Sequence, residues 1–160
     1  MENLFLKYLD DDKVLSEIAF NLKDFSGIRE HSPKASSLIW GFDNFICKIT
    51  HTGDNEWVFK FGMNNGENDL DAKSLELTGE FNLKKTASII SNVAKCFILF
   101  LRKAKPRRII FSGNSRGRKN LYKRLVITLY KEEDVMNYEQ CRIIPDGVGA
   151  HFIIERKPNV

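Results

Sequence analysis

The sequence predicts an α+β domain: a mainly antiparallel sheet with its helices packed on one face. Three observations carry this expectation. Strand-like alternation dominates from Ser37 onward, a long helical stripe starts at Asn82, and strand patterns return near the C-terminus. With 160 residues, 42% of them apolar and 29% charged, the chain has the length of one domain, here taken as 1–160. A chain of that size buries roughly 70% of its unfolded surface, enough for a sizeable core. Composition excludes disordered, collagen-like and membrane-embedded classes.

The first forty residues read ambiguously. Val14, Leu15, Ile18, Leu22 and Phe25 fall at helical spacing after Asp12, while Ile18, Phe20 and Leu22 also alternate as a strand would. Strands are expected at Leu38 to Phe42, Phe45 to Thr50 and Trp57 to Phe61, the last two joined across His51 to Asn55 as a hairpin. Ser74 to Phe81 alternates once more, and Asn64, Asn65, Gly66 and Asn68 read as a loop.

At Asn82 the period changes. Leu83, Ala87, Ile90, Ala94, Phe97 and Leu101 make one apolar stripe, widened by Ile89, Val93, Cys96 and Phe100, so a helix is expected over about 82–104. Asn82 can cap it, basic residues at its end complement the helix dipole, and Pro106 stops it. A short strand from Arg108 to Phe111 follows, then a loop from Ser112 to Lys119. A second helix is expected over about 120–131, with Leu121, Leu125 and Leu129 on one face. The chain closes in a hairpin, Cys141 to Ile144 and His151 to Glu155, around Pro145, Asp146, Gly147, Val148 and Gly149.

The net charge of +4 hides a segregation. Residues 1–80 hold 8 basic and 15 acidic side chains, residues 81–131 hold 14 basic and none acidic, and residues 132–160 hold 3 and 6. A tract without a carboxylate cannot neutralise itself through i, i+4 pairs. Its counter-charges are the acidic parts of the fold, solvent, or an anionic ligand.

Within the tract, Ser112, Gly113, Asn114 and Ser115 have small side chains that let backbone N–H groups approach an oxyanion, and a helix N-terminus follows. Arg116, Arg118 and Lys119 would supply full charges, supported by Arg108, Tyr122 and Lys123. The spacing is not a Walker A loop, since Asn120 stands where the magnesium-binding hydroxyl belongs, and GxGxxG is absent.

Other motifs fail on geometry. Pro145, Asp146, Glu155 and Lys157 spell a nuclease pattern, but Asp146 falls in a hairpin turn and Glu155 roughly 17 Å away along a strand, too far to share a metal. Gly113-Asn-Ser-Arg-Gly117 spells GxSxG, yet no doubly wound sheet follows to supply the acid and histidine. His31, His51 and His151 have no mutual ligand spacing, and Cys47, Cys96 and Cys141 form no CxxC pair. They read as reduced and mostly buried, so no metal, cofactor or catalytic residue is expected.

From the helix at 82 through Tyr122, the chain resembles a set of small bacterial and phage-related proteins of unknown function. Their shared pattern is a long Val/Ile/Ala-rich helix, a strand ending near a Thr/Ser-Gly-x-Ser loop, then an Arg and a Leu-Tyr. Ser112, Gly113, Ser115, Arg118, Leu121 and Tyr122 match it, over about 50 of the 160 residues. The resemblance implies an α+β fold with a long helix on a sheet, and no established activity.

The expectation is therefore a cytoplasmic, non-catalytic binding module that takes nucleic acid or another phosphate-bearing ligand, with no signal core and no membrane partner. The alternative is a protein-interaction component, such as one half of a paired defence or toxin-neutralising system. An enzyme acting on a phosphoester or nucleotide ranks third. Oligomeric state is not legible in the sequence.

Overall fold

A computed structural model describes residues 22–71, 83–113, 125, 129, 135, 137–146 and 149–158. The chain forms β1 (Arg29–Lys34), β2 (Ser37–Phe42), β3 (Phe45–Gly53), β4 (Glu56–Met63), α1 (Leu83–Ala104), β5 (Arg108–Gly113), β6 (Tyr138–Asp146) and β7 (Gly149–Arg156). The strands make one sheet in the order β1-β2-β3-β4-β5-β7-β6. Every neighbouring pair is antiparallel except β4 and β5. That parallel pair needs a crossover, and α1 lies within it. The α+β class and the mostly antiparallel sheet agree with the sequence.

The first four strands form a meander through two-residue turns at Ala35–Ser36, Asp43–Asn44 and Asp54–Asn55. Asp54 and Asn55 both have positive φ, 47° and 57°, the backbone a type I′ hairpin requires and that Asp and Asn tolerate best. The β3–β4 hairpin thus stands where its Gly-Asp-Asn signal placed it. Helix α1 ends because Lys105 turns left-handed (φ 45°), its amide still donating to the Leu101 carbonyl at 3.0 Å, and Pro106 follows. Arg102 and Lys103 sit in the last turn, beside the negative end of the dipole.

Alternation sorts the sheet into two faces. Trp40, Phe42, Phe45, Cys47, Ile49, Phe59, Phe61, Ile109, Phe111, Phe152 and Ile154 point to α1 and build the core with Ile90, Val93, Ala94, Phe97 and Phe100. Rings lock the layers together: Phe97 sits 5.8 Å from Phe59 and 5.2 Å from Phe111, and Trp57 lies 5.3 Å from Phe100. Cys47 on β3 and Cys96 on α1 are both free and buried, as expected of them. Burial, and then the hydrogen bond with Cys96, push the Cys47 thiol well above its ordinary range, so it stays protonated and inert.

Several expectations need correction. Strand β1 was not expected, because its sequence REHSPK has no alternation; it is an exposed edge strand held by backbone pairing to β2. Ser112 and Gly113 were expected in a loop but are the last residues of β5, opposite His151 and Ala150. Pro145 and Asp146 were expected in the turn but extend β6, opposite Ala150 and Gly149; proline is tolerated there because β6 is an edge. The helical or strand reading of residues 14–21, the strand at 74–81 and Cys141's side chain lie outside the described residues. So does the shorter helix at 120–131, of which only Leu125 and Leu129 are described, both buried.

Candidate anion-binding site

Topology divides the basic tract between two ends of the sheet. One group holds the last turn of α1 and the start of β5, where Lys103 and Arg108 meet carboxylates of the fold. Lys103 pairs with Glu30 of β1. Arg108 bridges two neighbouring strands, donating to Glu56 Oε2 at 3.2 Å and, through Nε, to Glu155 Oε1 at 2.7 Å. The hydrogen bond that Arg108 donates to Glu155, with the charges of Glu155 and Glu56, raises the Arg108 pKa above its ordinary value despite desolvation. Arg107 Nε donates to the Asp54 carbonyl at 3.2 Å, and the Arg102 guanidinium lies over the Phe25 ring at 5.2 Å. Arg108 was expected to support the anion loop. It instead stands at the start of β5, roughly 17 Å from Gly113 at 3.3 Å per residue, between two carboxylates.

The opposite end carries a different balance. Because β4 and β5 are parallel, α1 must run back along the sheet, so its first turn returns to the end where β5 finishes. That turn has Lys84 and Lys85, both exposed, and no acidic residue. Gly113 closes β5 at the same end and leads into Asn114, Ser115, Arg116, Arg118 and Lys119, which with Tyr122 and Lys123 lie outside the described residues.

The sheet face away from α1 shows the same polarity in rows. The first row is the ion-paired triad Glu56, Arg108 and Glu155, which carries one net negative charge. The next is Thr50, Val58, Ile110 and Ile153. The third is cationic: Lys48 is directly opposite Lys60, and one step beyond Phe59 and Phe111 the register sets Lys60 beside Ser112, itself opposite His151. Like charges opposite one another on a sheet are unfavourable. Lys48 has a counter-ion, Asp69 at 3.0 Å, which also lies 3.9 Å from Lys34. Lys60 is exposed and has no ion-pair partner among the described residues.

Asp69 comes from the loop between Asn64 and Asp71, which two Asx turns hold: Asn64 Oδ1 accepts from the Gly66 and Asn68 amides, Asn65 Oδ1 from those of Glu67 and Asp69. Burial raises the Asp69 carboxyl. The hydrogen bond from Lys48, the Leu70 amide and the charges of Lys48 and Lys34 outweigh it, and the net position is below the ordinary value of 3.8. A depressed folded pKa gives stability that is present above 3.8 and disappears as pH falls through the folded value. Asp69→Asn should therefore be less stable than the wild type at neutral pH, with the gap closing under acid; urea unfolding at neutral pH and well below the ordinary value of 3.8 measures both. A gap independent of pH contradicts the ion-pair account.

Sequence reasoning found the tract but missed Lys60 and His151 as its neighbours. Each is an unremarkable polar position in an alternating strand, and only the register across β4, β5 and β7 joins them. Among the described residues no group of three His, Cys, Asp or Glu side chains could hold a metal ion, and no helix is long and apolar enough to cross a membrane. Comparison with protein-family models, curated proteins and solved structures finds no match for this chain.

Proposed function

We propose that this protein is a non-catalytic cytoplasmic module that binds a phosphate-bearing ligand at the end of the sheet where β5 finishes. One observation carries the reading: Arg108 at the start of β5 is held by two carboxylates, while the first turn of α1 and the segment after Gly113, both basic in sequence, share the end where β5 finishes. Glu30, Glu56 and Glu155 meet Lys103 and Arg108. Lys84 of α1 and the segment after Gly113 share the opposite end, by the parallel crossover.

In this reading the backbone of Ser112 to Ser115 approaches an oxyanion, and Arg116, Arg118 and Lys119 grip it. Residues 120–131 form the second helix, anchored by buried Leu125 and Leu129, with its N-terminus adding partial positive charge. Filter binding of labelled DNA, RNA and nucleotides at low and moderate salt tests it. Retention that falls steeply with salt is expected; no retention of any probe at low salt overturns it.

A further inference from the structure

We propose that β1 is an acid-released edge strand: neutral His31 seats it on β2, and protonated His31 lets it go. This stands apart from the anion-binding reading and does not rest on it. Strand β1 ends the sheet, and five of its six residues are exposed; His31 alone is partly buried. Its ring enters the space that Gly41 of β2 leaves by having no side chain. A Cβ at Gly41 would stand 2.6 Å from His31 Nε2 and 3.2 Å from Cδ2. Nε2 is buried there and has no hydrogen-bond partner among the described residues.

Neutral imidazole has one nitrogen without a proton, and Nε2 can be that one. Imidazolium carries a proton on both nitrogens, so a buried N–H would have neither water nor an acceptor. The surrounding charges give no relief. On the same face stand Arg29 and Lys34 of β1 and Lys48 of β3, and Asp69 is shared between the two lysines. Ile39 and Gly41 of β2 have no charge. Asp43 and Glu67, in adjoining loops, offer backbone carbonyls to Arg29 and Lys34 at 2.9 and 2.6 Å. Glu30, on the other face, pairs with Lys103. Burial first, then the Arg29 charge, lowers the His31 pKa from its ordinary value of 6.5. The stability that neutral His31 gives is therefore present above 6.5 and is lost as pH falls through the folded value.

Little else fastens β1. Its ion pairs to Lys103 and Asp69 lie at the surface, where such pairs contribute little. Its pairing with β2 shifts register between His31 and Lys34. Strand β2 is paired with β3 through six residue pairs, so β1 can leave while the rest of the sheet stays closed. Its departure uncovers the backbone edge of β2, a template on which another strand can add.

The test is amide hydrogen exchange of the full chain well above and well below 6.5, staying above 3.8 so that Asp69 remains charged, with each rate taken relative to its intrinsic value. At the lower pH the protection of the β1–β2 amides should fall several-fold, while the β3–β4 amides keep theirs. His31→Gln, which cannot take a proton, should remove this dependence. His51→Gln should preserve it, because the His51 ring stacks on Trp57 at 4.8 Å, away from β1. Gly41→Ala fills the space the imidazole uses and should lower β1 protection at both pH values. Equal β1 protection at the two pH values in the wild type overturns the proposal, as does the same pH dependence in His31→Gln, or a loss of protection shared equally by β3 and β4.

Discussion

Replacing Phe97 by alanine is expected to destabilise the protein by about 3–5 kcal/mol, the usual cost of removing a large ring from a well-packed core. Phe97 is 1% exposed and stands where α1 meets two strands. Its ring lies 5.8 Å from Phe59, 5.2 Å from Phe111 and 6.4 Å from Phe100. Phe59 and Phe111 are themselves 5.1 Å apart and paired across the β4–β5 junction. Truncation leaves a void bounded by backbone hydrogen bonds on the sheet side, which cannot close in without distorting the one parallel pair. Urea unfolding should show a lower midpoint with an unchanged slope. A loss below about 1 kcal/mol would mean that α1 does not rest on the sheet through this cluster.

The second large effect is on binding. Exchanging Arg116, Arg118 and Lys119 together for glutamine removes three cations from the proposed loop site. Three phosphate contacts correspond to a salt slope of about 2.7 for a duplex, and the affinity should fall on the order of a hundredfold at low salt. A triple variant that binds as the wild type does, with an unchanged slope, removes the loop from the site.

The fold was legible where side chains alternate and turns have their own chemistry. The β3–β4 hairpin could be read because Ile49, Phe59 and Phe61 point one way on either side of the Asp54–Asn55 turn. Helix α1 could be read because its stripe is buried from Ile90 through Ala94 and Phe97 to Leu101 and Pro106 ends it. Strand β1 could not, since an edge strand exposed on most of its residues needs no apolar pattern and gains its order from β2. Ser112, Gly113, Pro145 and Asp146 are turn-forming residues by type; their neighbours in β7 draw them into strands.

The site was half legible for a related reason. A carboxylate-free tract is a property of the chain, but which of its cations are neutralised is a property of the register. Arg108 looked like a ligand-binding arginine until β4 and β7 placed Glu56 and Glu155 beside it. Lys60 looked like an ordinary strand lysine until β3 placed Lys48 across from it.

The division of the tract into a neutralised end and a binding end is best tested by backbone amide chemical shifts of the labelled protein during titration with a short duplex. Shifts should move at Ser112, Gly113 and residues 114–119, and stay still at Lys103, Arg107 and Arg108. Movement centred on Lys103 to Arg108, or spread evenly along the tract, would contradict the account.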